Sequence, residues 1–172
     1  YLEVVPLAPL VFRAQSRQMT FLGALGNVAT FTQEQIRSAN GGDSYWNPEE
    51  LQRRRDEGDG VFATGWDHML AGTLRLKLGP VLAKSTFEYH WMHLDLPAGH
   101  LRWYDSNDDL VLERNDNKLM LKNLLGYLAY GELSADRFLL VGSTYEFHQA
   151  VNLDITRHVA GLLLVWRPGL WA

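Results

Sequence analysis

An all-β chain, folded as an antiparallel up-and-down β-barrel, is what the sequence predicts. Three observations predict it. Extended runs are long, about 11–14 residues where a usual strand has about 5–6. Short and long connections alternate along the chain, as they do when one end of a sheet carries tight turns and the other carries elaborate loops. In the hairpin His68–His93, one side of both runs is apolar and the other is charged. At 172 residues the chain reads as a single domain over 1–172, with ample length for a packed core or a small barrel.

Taken in order, the extended runs are Leu2–Gln15 and Gln18–Phe31, joined by a short connection at Gln15–Gln18. A long connection, Thr32–Asp67, follows, and two short helices are expected within this insertion at 32–67. In "TQEQIRSANGG", Thr32 is an N-cap, Gln35 follows three residues later and Gly41 is a stop. In "NPEELQRRRDEG", Asn47 caps, Pro48 takes the first helical position, Glu49 and Glu50 face the positive dipole end, and Gly58 terminates. Arg53, Arg54 and Arg55 read as a solvated helix face. The runs His68–Leu78 and Val81–His93 are joined by Gly79-Pro80 alone. After the long connection Asp95–Lys118 come Leu119–Gly131 and Arg137–His148, separated by Glu132–Asp136. Val151–Thr156 is intermediate in length, and Arg157–Arg167 is the last run. "GALGN" lies inside an extended run and reads as strand glycines, not a phosphate loop.

The hairpin can be registered from its turn. If Gly79-Pro80 is a two-residue loop, Leu78 lies opposite Val81 and the pairs follow in step. Leu70, Leu74, Leu76, Leu78, Phe87, Tyr89 and Trp91 then share one face. Arg75, Lys77, Lys84, Glu88 and His90 share the other. A slip of one residue would scramble both faces. The apolar face ends in Tyr89 and Trp91, an aromatic band of the kind a bilayer interface favours, and Phe87 stands opposite the strand glycine Gly72, which an aromatic ring can cover. A dry core could not hold the second face without heavy desolvation cost, whereas a wet barrel interior could. Arg75 faces the like-charged Lys84 and needs an acid from elsewhere, for which Glu146 across the lumen is the candidate. The expectation is therefore a transmembrane barrel. Its apolar belt touches lipid, and Arg75, Lys77, Lys84, Glu88, His90 and Glu146 line its lumen.

Composition narrows the function. The formal charge is −4, and the segment Thr32–Asp67, with eight acids against four arginines, accounts for all of it. No basic face appears, so nucleic acid is not an expected partner. This acidic loop is the candidate docking surface for a protein partner. There is no cysteine, hence no disulfide and no thiolate metal site. No run approaches 18 uninterrupted apolar residues, which excludes a transmembrane helix. No signal peptide is visible, and the abrupt start at Tyr1 fits a mature or truncated product. "DSNDDLVLERND" places Asp105, Asn107, Asp109 and Asp116 at calcium-loop spacing, but Leu110 stands where the turn needs glycine, so a plain acidic loop is the expectation. Ser143 and His148 fall on opposite faces of one run, and no nucleophile–base pair is formed there. No cofactor and no enzymatic activity are expected.

At this point the chain resembles bacterial outer-membrane β-barrel proteins, in architecture along nearly its whole length. The closing stretch "RHVAGLLLVWRPGLWA" looks like the last strand of such barrels, with Trp166 and Trp171 near its end. It departs in ending on Ala172 and in stopping at Pro168. Val159, Leu163 and Val165 would also give that strand a partly dry inner side. The resemblance implies an outer-membrane location, a lipid bilayer as partner, and a role as a small-solute pore or as a structural, partner-docking barrel. Seven spans are counted where the family usually has an even number. An eighth strand before Tyr1, making this the C-terminal part of a larger barrel, is the expected resolution, ahead of a crossing within "HLRWYDSNDDLVLERND". The competing class is a soluble β-barrel or sandwich that binds an apolar ligand against the Leu/Phe/Tyr face. The sequence sets no oligomeric state.

Overall fold

The computed structural model describes residues 2–7, 9–21, 30–32, 62–105, 108, 110–131 and 137–167. Every regular element among them is a strand. In chain order these are β1 (Leu2–Leu7), β2 (Leu10–Phe21), β3 (Thr30–Thr32), β4 (Ala63–Leu78), β5 (Val81–Asp95), β6 (His100–Asp105), β7 (Leu110–Glu113), β8 (Asn115–Gly131), β9 (Phe138–Ala150) and β10 (Ile155–Arg167). Seven of them form one antiparallel sheet in the order β1-β2-β4-β5-β8-β9-β10, and β3-β6-β7 form a second, small sheet. The large sheet runs up and down, each strand beside its predecessor once the small-sheet strands are set aside.

The β4–β5 hairpin takes the register its turn dictates. Gly79 sits at φ 58°, a conformation open to glycine at the first central position of a two-residue hairpin loop. Pairing then runs without a slip from Leu78↔Val81 to Thr64↔Asp95. The same ladder continues across β8, β9 and β10, so side chains of one parity form continuous rows over the sheet. Three connections at one end are short: those between β1 and β2, β4 and β5, and β8 and β9. The opposite end carries the long connections that contain β3 and the β6–β7 hairpin, together with the Val151–Asp154 turn.

The small sheet packs against one face of the large one at this loop end. Trp103 and Leu112 of the small sheet, with Leu96 before it, form a buried cluster with Ala63, Met92, Leu94 and Ala150 of the large sheet. The Trp103 indole N–H donates to the Glu113 carbonyl at 3.2 Å, so its polar edge is satisfied inside the cluster. The covered face is called the inner face below.

Glycine lets the large sheet bend tightly. A Cβ on Gly142 would lie 2.3 Å from the Leu125 carbonyl oxygen and 2.9 Å from the Gly126 Cα, and one on Gly65 would meet the His93 carbonyl at 2.0 Å. Backbone of adjacent strands approaches here more closely than any side chain permits.

Five expectations change. The described residues are all-β and antiparallel, but the described sheet is open, with β1 and β10 as its edges and no pairing between them. The first turn falls at Pro9, and β2 runs straight through Gln15–Gln18, because those polar side chains continue a strand already paired to β4. The run Gln18–Phe31 is not one strand: β2 ends at Phe21 and Thr30–Thr32 joins the small sheet. The segment around Arg102–Glu113 forms the β6–β7 hairpin, which pairs with β3 and adds no strand to the large sheet. β4 also starts at Ala63, inside the expected 32–67 insertion. The two helices expected over Thr32–Gly41 and Asn47–Gly58 lie outside the described residues.

Candidate functional site

The two faces of the large sheet differ in kind. On the outer face, Leu70 (52% exposed), Leu74, Leu76, Leu78, Phe87 and Trp91 are all exposed, and Tyr89 is half-buried with its ring edge-on to Trp91 at 4.8 Å. Cross-strand neighbours extend this surface through Val81, Leu125, Tyr127, Val141, Leu164 and Leu162, the last 96% exposed. A shallow groove of about 380 Å³ lies on it, lined mainly by Phe12, Leu70, Gly72 and Phe87. Towards the loop end the outer face turns polar: Ser16 stands opposite His68, and Asn117 opposite Trp91. Trp66 stacks between His68 and His93, with ring centroids 4.6 and 5.6 Å away.

The inner face is charged where it is most buried. Asp67 and Lys118 are each 2% exposed. Asp67 accepts from Arg17 at 2.8 Å and lies 3.0 Å from His90 Nδ1. His90 Nε2 points at Glu88 from 3.7 Å, beyond hydrogen-bond reach, and Glu88 in turn accepts from Lys122 at 3.1 Å. Lys118 donates to Asp105 at 3.1 Å and to Asp108, both on the β6–β7 hairpin. His148 Nε2 is 3.2 Å from Glu146 Oε2, while its Nδ1 stands 3.7 Å from Asp108. Arg157 donates to the Asp108 carbonyl at 3.0 Å. Two chains of ion pairs thus cross the inner face, and the second clamps the small sheet onto β8, β9 and β10. Burial alone would push the Asp108 carboxyl up. The Lys118 ammonium, which also hydrogen-bonds it, and then His148 outweigh that and hold it below its ordinary range.

The predicted residues separate by face as the hairpin register requires. Arg75, Lys77, Lys84, Glu88, His90 and Glu146 are all on the inner face. Three of them, Arg75, Lys77 and Lys84, are exposed, at the tight-turn end. Glu146 does not reach Arg75; it stands on β9 opposite Lys122 and bonds His148. Of the residues at calcium-loop spacing, Asp105 binds Lys118, and Asp116 accepts the backbone N–H of Glu113, Asn117 and Asn152. Asn107 and Asp109 lie outside the described residues. No group of side chains among the described residues is arranged to hold a metal ion. Ser143 faces out and His148 in, so they do not meet.

Sequence reasoning did not single out Asp67, Asp108, Lys118 and His148 as inner-face partners. Asp67 and Lys118 carry the same period-two signal as Arg75 and Lys84 and could have been placed by extending the register loopward. Asp108 carries no such signal, because its position depends on the packing of the small sheet.

A broad antiparallel sheet with an apolar exposed face and a charged, largely buried one is the class of structure these observations define. Comparison of the chain with protein-family models, curated proteins and solved structures found no match.

Proposed function

We propose that this sheet is part of the wall of an outer-membrane β-barrel, non-enzymatic, whose polar interior admits small solutes. The observation that carries the reading is the inverted polarity of the large sheet. A sheet with one face in water hides its leucines and displays its lysines. Here Leu70, Leu76, Leu125 and Leu162 are displayed, while Asp67, Lys118, His90 and His148 are hidden. An exposed apolar surface of this extent calls for a non-aqueous neighbour.

Dimensions support the same reading. The outer belt runs from the Leu70/Tyr89 level to the Leu78/Val81 level and beyond it to Trp166, roughly the 9–11 residues a tilted strand needs to cross the hydrocarbon core. β4, β5 and β8, at 16, 15 and 17 residues, are long enough to cross and project beyond it. Tight turns at one end and long connections at the other match the usual asymmetry of such barrels. No helix among the described residues is long and apolar enough to cross a membrane, which leaves crossing by strands untouched. Open sheet edges do not persist in lipid, so the reading requires partners for the edges of β1 and β10.

The reading of a structural, partner-docking barrel draws on a separate observation, the small sheet clamped across the loop end of the inner face. A binder of apolar ligands in water would need the Leu/Phe/Tyr face enclosed, and those side chains are exposed.

The test is extraction followed by conductance. A barrel requires detergent, migrates differently on gels with and without heating, and, if its interior is open, gives steps of conductance in planar bilayers. A chain that is monodisperse in plain buffer sinks the reading. A heat-modifiable chain without conductance favours the docking barrel.

A further inference from the structure

The inner face is divided electrically, and the division falls on one row of paired residues. That row runs Val11, Thr73, Thr86, Lys122, Glu146, Val159 across six strands, with the Thr73 and Thr86 hydroxyls 3.1 Å apart and buried. Among the described residues, every acid that the register puts on this face stands on the row or loopward of it: Asp67, Glu88, Asp116 and Glu146. On the tight-turn side the charged residues that the register puts on this face are, among the described residues, all cations. Arg75 and Lys84 are direct cross-strand partners, and Lys77 is next on the same face. All three are exposed, and none forms an ion pair among the described residues. Their neighbours on the inner face are Leu82, Leu124, Gly126, Gly142 and Thr144, which bring no charge and, at the glycines, no bulk.

Like charges held directly opposite each other on a sheet destabilise it unless something neutralises them. On the row and loopward of it, the protein supplies its own acids at 2.8–3.1 Å for Lys122, Arg17 and Lys118. For Arg75, Lys77 and Lys84 no acid among the described residues does so. We propose that this half of the inner face is an anion site, a vestibule that attracts small solutes bearing phosphate or carboxylate groups. Rings of Arg and Lys serve anion and phosphate pores in this way, and guanidinium and ammonium donors bind such oxygens by charge-assisted hydrogen bonds. The inference rests on the barrel reading, because an enclosed, low-dielectric vestibule is what turns three exposed cations into a site.

The experiment measures equilibrium binding of inorganic phosphate to the purified, folded chain, alongside the same measurement with acetate. R75Q/K77Q/K84Q is expected to weaken phosphate binding by about tenfold or more, since charged hydrogen bonds are lost. R75K/K84R keeps the charge and is expected to retain binding, which separates loss of the site from loss of the fold. A tighter response to phosphate than to acetate assigns the site to phosphate-bearing solutes, and equal responses assign it to small oxyanions generally. A heat-modifiable, detergent-requiring chain whose phosphate binding is absent, or equal in the triple variant, overturns the anion site and leaves the barrel standing. A chain monodisperse in plain buffer overturns the barrel and the vestibule together.

Discussion

Lys118 is the residue on which most of the buried charge converges. It is 2% exposed and answers two carboxylates of the β6–β7 hairpin, Asp105 and Asp108. Replacing it with methionine keeps the volume and takes the nearest counter-charge from both acids. Removing one partner of a buried pair costs about 3–5 kcal/mol, so Lys118→Met is expected to lower the unfolding free energy by that order, read as a fall in the denaturant midpoint at unchanged slope. Adding Asp105→Asn and Asp108→Asn to the same variant should restore most of the loss; if it does not, the ammonium was serving as packing and not as a counter-charge. The second prediction at this scale concerns pH. Asp108 faces Lys118 and Lys122 from β8, His148 from β9, Arg157 from β10 and Asp105 from β6. Its carboxyl is held below the ordinary value, about 4. The ionised form is therefore the one the fold stabilises. Its contribution is complete above that ordinary value and is lost as pH falls below it, through the folded value. Acidification in that window should loosen the hairpin, read as faster proteolysis within 96–114, and Asp108→Asn should remove the dependence.

Among the elements, the β4–β5 hairpin was legible and the β6–β7 hairpin was not, for physical reasons. A two-residue loop fixes a register locally, and a period of two then assigns every side chain, so Leu74 and Arg75 were sorted by arithmetic on Gly79-Pro80. The polar run Gln15–Gln18 misled because polarity marks a turn only where the strand ends. Here Arg17 is polar because it meets Asp67, and Ser16 and Gln18 because the outer face has left the apolar belt. β7, with only four residues, is too short to carry a period, and its place is fixed by contacts of Leu112 and Trp103 with strands distant in sequence. Curvature was also hidden, since glycine in a run says only that something approaches. Gly142 and Gly72 differ in what approaches. A Cβ at Gly142 meets backbone of β8 at 2.3 Å, whereas one at Gly72 meets the Phe12 ring at 3.6 Å, an ordinary contact. Gly142→Ala should cost about 2–3 kcal/mol or more by forcing β8 and β9 apart, while Gly72→Ala should stay within about 0.5 kcal/mol. Unfolding of the two variants under identical conditions checks the contrast, and equal costs would show that the sheet is not bent at Gly126–Gly142.

For the molecule as a whole, the question is what the outer belt touches, and Leu162 puts it most sharply. It is 96% exposed and lies in a row with Leu125, Ser143 and Leu76, near the middle of the belt. If that row faces water, Leu162→Arg exchanges one exposed side chain for another, and the expected change is within about 0.5 kcal/mol. If it faces acyl chains, the arginine stands near the bilayer midplane, where a charged side chain on the lipid face of a barrel costs about 2–4 kcal/mol. The two outcomes are separated by more than their uncertainty. Position supplies an internal control: Ser16, beyond the belt beside His68, should accept arginine at about 0–1 kcal/mol in either case, because the penalty falls away towards the interface. The measurement is reversible unfolding in liposomes, comparing Leu162→Arg with Ser16→Arg. A large cost at Leu162 and a small one at Ser16 fits a sheet set across a bilayer. Equal, small costs at both would mean that the leucines are simply wet, and the barrel reading would fall with them.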